Sequence, residues 1–151
     1  MILRLDDLRG PEIRALLEEH LRDMHAQSPR ESVHALDVER LRVPSITFWT
    51  AQDGELLLGC GALKELAPDH GEIKSMRTPN ALRRRGAGRA LLAHILAVAK
   101  ARGYRRVSLE TGASPGFVPA QRLYEAHGFQ RCGPFGDYPA HPHSVFMTLA
   151  L

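Results

Sequence analysis

The sequence predicts a mixed α/β (α+β) domain, with one mixed sheet and helices packed on it. Three observations lead there. Strand-like and helix-like patterns alternate along the chain in the order βαα-βββ-α-β-α-ββ. Two strand patterns meet across Gln52-Asp53-Gly54-Glu55, a hairpin turn that calls for antiparallel pairing. A strand pattern at 71–78, a long helical pattern at 87–102 and a strand pattern at 106–111 make a crossover within the same sheet. The 151 residues suit a single domain, residues 1–151, with one core.

Each element has its own signal. Residues 1–5 read as a first strand. Pro11 then opens a helix at a tolerated first-turn position. Ile13, Leu16, Leu17, Leu21 and Met24 recur at helical spacing, and Ser28-Pro29 ends the run. Residues 32–41 are expected to hold a short second helix, with Asp37 capping Val38 to Leu41. Residues 46–51 are β-branched and aromatic, a strand, and 56–65 return as its hairpin partner. Leu91, Leu92, Ile95, Val98 and Ala99 share one side of the long helix, which Gly103 ends. Val107 and Leu109 alternate on the next strand. A loop rich in Pro and Gly leads to a short helix at 119–127, stopped by Gly128. The last strands are 129–132 and 144–149, separated by a loop rich in Pro and His.

Composition narrows the function classes. Charged residues make up 25% of the chain and no apolar run spans a bilayer, so a folded domain away from membranes is expected, by default in the cytoplasm. Cys60 and Cys132 lie in apolar strand contexts and show no zinc spacing, so both are expected reduced and buried. Five of the twenty basic residues fall between Arg77 and Arg89, so the charge is local and does not make a nucleic-acid face.

That local charge surrounds Arg83-Arg84-Arg85-Gly86-Ala87-Gly88-Arg89-Ala90, at a strand-to-helix passage. Glycine lets a ligand approach the backbone, and the first helical amides have no partner inside the helix. With the helix dipole they form an anion site suited to phosphate. The nucleoside-triphosphate loop fails, because Lys and Ser do not follow Gly88. The dinucleotide fingerprint fails, because Leu91 takes the third glycine place. The pattern R/Q-x-x-G-x-G/A fits Arg83, Gly86 and Gly88.

On that pattern the chain resembles the GNAT family of N-acetyltransferases. Leu123-Tyr124-Glu125-Ala126-His127-Gly128-Phe129 is similar to the family's L-Y-E-x-x-G-F segment, and Gly71 to Thr78 lies where its fourth strand belongs. The element order also matches, so the resemblance covers nearly the whole chain. It implies a central, mostly antiparallel sheet flanked by helices on both faces. It implies acetyl-CoA as co-substrate, its pyrophosphate on Arg83 to Ala90 and its pantetheine arm on Met76, Arg77 and Thr78. Phe117 stands where many members carry an Asn that contacts the cofactor; Ser114 is the expected replacement.

The implied reaction moves acetyl from the thioester to an amine. An ammonium is no nucleophile, so a base or a water chain must take its proton, and an acid helps the thiolate leave. The resemblance makes Tyr124 the acid. Glu72, eleven residues before Arg83, is the candidate base through water, with Glu110 as alternative. The acceptor site is expected from His20, His25, Ser28, Glu31, His34, Asp37, Asp137, Tyr138, His141 and His143, a mixture that suits a small polar amine. Protein N-terminal or lysine acetylation, and a non-catalytic CoA sensor, remain as alternatives. No metal is expected. A homodimer is expected from the family, with the apolar last strand at an edge or interface.

Overall fold

The computed structural model describes residues 1–29 and 37–151. Strands β1 (Ile2–Leu5), β2 (Ile46–Asp53), β3 (Leu56–Ala67), β4 (His70–Arg77), β5 (Arg106–Gly112), β6 (Gln130–Cys132) and β7 (Ser144–Ala150) form one sheet. Helices α1 (Pro11–Gln27), α2 (Val38–Leu41), α3 (Ala87–Ala101) and α4 (Val118–Ala126) accompany them. Asp37 caps α2 as its sequence predicts, its Oδ1 accepting the Arg40 amide at 3.0 Å. The rest of the expected second helix, with Glu31 and His34, lies outside the described residues.

The sheet order is β1-β2-β3-β4-β5-β7-β6, with β4 and β5 parallel and every other neighbouring pair antiparallel. The crossover through α3 forces the one parallel pair. The last strand, β7, pairs with β5 on one side and β6 on the other, which corrects the expectation of an edge; β1 and β6 are the edges.

Two cores face the two sides. On one, Leu91, Leu92, Ile95 and Ala99 of α3 and Tyr124 of α4 pack with Leu63, Ile73, Val107, Leu109 and Met147 of the sheet. On the other, Ile13, Leu16 and Leu17 of α1 and Leu41 of α2 pack on Phe48, Cys60 and Ala62. Period-2 alternation thus sends odd residues of β5 to α3 and leaves Ser108 and Glu110 to the opposite face. There the loop between β6 and β7 takes the place of a helix: Phe135 and Tyr138 pack edge-on to each other, with ring centroids 5.3 Å apart, and both rest on Phe146 of β7. Cys60 is buried as expected; Cys132, on the edge strand β6, is exposed, because its strand has no layer covering it.

Candidate active site

The site starts from a break in the ladder. The β4–β5 pairs run from His70–Arg106 to Ile73–Leu109 and stop there. On the other side of β4, Cys60 of β3 faces Arg77 while Ala62 faces Lys74, so β4 carries an extra residue between them. Such a bulge bends its strand. Ser75, inside the bulge, has a left-handed φ of 54°. Past Ile73, β4 and β5 have parted, and a cleft of about 740 Å³ opens between them. It is lined by α1 on one face of the sheet and by the start of α3 and by α4 on the other.

The α3 end of this cleft is built for an anion. Gly86, the N-cap, has φ 82°, a left-handed conformation that a side chain resists. The first bond of α3 is Ala90 N–H to Gly86 O at 3.0 Å, so the amides of residues 87–89 precede the helical ladder. Arg83, Arg84, Arg85 and Arg89 are exposed around them and line the cleft. Donor amides, the positive end of a dipole and four guanidinium groups fit a diphosphate. Met76, Arg77 and Thr78 line the wall between this end and the sheet.

Tyr124 lies deeper, 6% exposed, its ring edge against Phe129 at 5.8 Å. Burial pushes its phenol above the ordinary range, so the hydroxyl is a proton donor at neutral pH.

The opposite end is polar and tightly bonded. Glu72 is 2% exposed; its Oε2 accepts from Lys74 Nζ at 3.1 Å and from the Tyr138 hydroxyl at 2.5 Å. Lys74 Nζ also donates to Tyr138 Oη at 2.7 Å, closing a triangle. Glu72 and Lys74 stand two residues apart on one face of β4, and Tyr138 reaches them from the loop between β6 and β7. Burial first, then the Glu72 charge, raises the Tyr138 phenol above its usual range.

Beside the triangle, α1 is tied to the strand. Arg77 donates to Glu19 at 2.8 Å, to Asp23, and to Asn80 Oδ1 at 3.1 Å. The Arg77 hydrogen bond holds the Asp23 carboxyl below its ordinary value against the opposing effect of burial. For Glu19, burial pushes upward and the bonds from Arg77 and Asn80 prevail, leaving it lowered. His20, on the same helix, lines the cleft with a buried Nδ1 that has no partner; burial, then Arg77, lowers its pKa to about 4.

The cleft therefore brings together Glu72, Met76, Arg77, Thr78, Arg83 to Arg89 and Tyr124. Ala90 and Ser114 stand outside its lining; the Ser114 hydroxyl donates to Gln27 O at 2.9 Å and ties the β5–α4 loop to the end of α1. Of the acceptor candidates, His20 and Tyr138 line the cleft, with Glu110, while His25, Asp37, Asp137 and His143 are exposed outside its lining. Sequence reasoning missed Lys74, Asp23 and Gln27. Lys74 shares a strand face with Glu72, but only the fold brings Tyr138 to it. Phe117 lines the cleft too, and its ring lies where a Cβ on Gly112 would be. That pairing explains how a bulky ring is accommodated there. Among the described residues no group of three or more His, Cys, Asp or Glu is placed to hold a metal, and no helix is long and apolar enough to cross a membrane.

A sheet opened beside a helix N-terminus, with a buried phenol on one wall and a polar cluster on the other, can hold an extended anionic ligand next to a smaller polar one. The chain belongs to the acetyltransferase (GNAT) family, whose model matches residues 13–129. It is 54% identical over 151 residues to the uncharacterized N-acetyltransferase YsnE of Bacillus subtilis, covering 100% of both chains. Among solved structures it resembles a Klebsiella pneumoniae protein described as an acyl-CoA N-acyltransferase, with 25% identity, a TM-score of 0.83, and 99% and 97% of the two chains covered. A Bacillus subtilis acetyltransferase solved in complex with CoA shares the fold, at 20% identity and a TM-score of 0.72, with 99% and 97% covered. The chain is thus a GNAT N-acetyltransferase.

Proposed function

We propose that this enzyme takes acetyl-CoA and transfers its acetyl group directly to the amine of a small polar molecule. One observation carries the reading: a single cleft joins the amides and arginines at the start of α3 to the Glu72 cluster, with Tyr124 of α4 on its wall. The α3 amides, with Arg83, Arg84, Arg85 and Arg89, bind the pyrophosphate, and β4 residues Met76 and Thr78 hold the arm through their backbone. Acetyl-CoA supplies an activated thioester. The Met76 amide steadies negative charge on the thioester oxygen as the amine attacks. Tyr124, kept protonated by burial, protonates the departing sulfur. Glu72 is the final sink for the proton of the attacking ammonium.

The acceptor end supports a small polar amine. His20, Asp23, Glu72, Lys74, Glu110 and Tyr138 surround it with short-range polar groups. The experiment is a panel of amines, amino acids and peptides with acetyl-CoA, read by thiol release. Turnover on free small amines is the expected result. Turnover on peptides alone would replace it with a protein acetyltransferase, and binding of acetyl-CoA without turnover would leave a sensor.

A further inference from the structure

The tie between α1 and β4 does not end at Arg77. Asn80, in the short turn Asn80–Leu82 after β4, bonds to both segments at once. Its backbone N–H donates to Glu19 Oε1 at 3.1 Å, and its Nδ2 donates to Asp23 Oδ2 at 3.3 Å. Its Oδ1 accepts from Arg77 at 3.1 Å and from Arg83 at 2.6 Å. One neutral amide thus joins two α1 carboxylates and Arg77 to the first arginine of the loop before α3. Charge gives the link a meaning. Glu19 and Asp23 outweigh Arg77 by one negative charge, and Arg83 supplies the missing positive one. That charge is felt at Asp23, where it helps to keep the carboxyl low. Asp23 and Arg83 both line the cleft, one from α1 and the other from the loop.

We propose that Asn80 couples the two substrates: it ties Arg83 to the α1 carboxylates until the diphosphate arrives, and Asp23, uncovered when Arg83 leaves, docks the acceptor's ammonium. The inference rests on the N-acetyltransferase reading above. A diphosphate draws a guanidinium more strongly than a neutral amide oxygen holds it. Asn80 and Arg83 are exposed, so water readily replaces the bond that Arg83 gives up. Once it has moved, the α1 cluster regains its uncompensated negative charge. Asp23 is where that charge meets the cleft. Its side chain is 31% exposed, and the bonds from Arg77 and Asn80 both end on Oδ2. Oδ1 takes part in neither and accepts from the ammonium. Arg77, its side chain only 9% exposed, stays with its carboxylates throughout. Asn80 is therefore a positioning residue, and Asp23 selects acceptors that arrive charged. Linkage makes the effect mutual: whatever acetyl-CoA adds to the amine's affinity, the amine adds to that of acetyl-CoA.

The test is calorimetry at neutral pH with the best amine from the panel and with CoA, which carries the diphosphate but no acetyl group to transfer. Bound CoA should tighten the amine about fivefold or more, and bound amine should tighten CoA by the same factor. The hydroxyl analogue of that amine, which has no charge, should show no such gain. In Arg83→Gln the amine should bind the CoA-free enzyme about as tightly as it binds the CoA complex of the unaltered enzyme, since Asp23 is uncovered from the start. Asn80→Ala should move the same way and bring the coupling factor toward one. A variant that merely damaged the site would bind the amine more weakly, so a gain separates coupling from structural loss. Asp23→Asn should lose amine affinity and coupling together while CoA still binds.

Three results would each overturn the proposal: no coupling in the unaltered enzyme, full coupling in Asn80→Ala, or an unchanged or weaker amine affinity in CoA-free Arg83→Gln. The second would mean that diphosphate and ammonium attract each other directly across the cleft. If acetyl-CoA binds but no amine on the panel is acetylated, the N-acetyltransferase reading falls and the coupling with it. Coupling that fails while turnover persists leaves that reading intact.

Discussion

At the residue scale, Tyr124 and Cys60 show how burial assigns chemistry. Burial raises the Tyr124 phenol above its ordinary range, so it keeps its proton at neutral pH and, in the proposed mechanism, has one to share with the departing sulfur. Tyr124→Phe should leave acetyl-CoA affinity nearly unchanged in calorimetry and lower kcat about 10-fold or more. Wild-type turnover by that variant would make the tyrosine a packing residue. Cys60 is the nearest thiol to the β4 bulge, and its Sγ donates to Ser75 O at 3.2 Å. Burial raises its pKa to about 12, so it offers no thiolate to accept the acetyl group. Tyr124 and Glu72 could be singled out in the sequence, one by its place in the Leu123 to Phe129 segment and the other by its spacing before Arg83, and both line the cleft. Lys74's place in the triangle could not be read there, because its meaning depends on Tyr138, a side chain 64 residues away that only the fold brings near.

At the element scale, the start of α3 and the tie between α1 and β4 carry separate predictions. The left-handed Gly86 and the amides after it form the proposed diphosphate site, so Gly86→Asp or Gly88→Asp should abolish acetyl-CoA binding by calorimetry while the thermal transition persists. Near wild-type affinity in either variant would remove the loop from the site. The α1 tie responds to acid in two stages. His20 has an ordinary value of 6.5 in the open chain and about 4 when folded. As pH falls between those values the unfolded chain binds a proton that the folded one refuses, so stability drops. Asp23 and Glu19 are held low by Arg77, and the stability they add is present at neutral pH and lost as pH falls through the carboxylate range. In thermal melts against pH, His20→Gln should flatten the first fall and Asp23→Asn much of the second. An unchanged profile in His20→Gln would mean that the ring is solvated in the native state.

At the scale of the whole molecule, most of the fold could be read from periodicity and turns. The hairpin at Asp53-Gly54, the α3 crossover and the short α4 all fall within a residue or two of their predicted limits. What could not be read is set by long-range pairing. The sequence offers no local mark for β7 lying between β5 and β6, since an apolar strand looks the same inside a sheet as at an uncovered edge. It offers none for the bulge either: Ser75 is an unremarkable strand residue whose left-handed backbone is imposed by the register of β3 against β4. Phe117 is a similar case. Its fit depends on the bare Gly112 at the end of β5, which sequence alone presents as an ordinary loop glycine.

The parted strands have a consequence for the order of events. The cleft touches the α1 layer on one face and the α3 and α4 layer on the other, so in the function proposed above acetyl-CoA and the amine each take their own side of it. Neither has to depart before its partner arrives, and they meet in the gap between β4 and β5. Initial-velocity lines should therefore intersect instead of running parallel. Free CoA should compete with acetyl-CoA while leaving the amine able to bind. Parallel lines would mean that acetyl is parked on the protein, and the two-sided geometry would then be serving some other purpose.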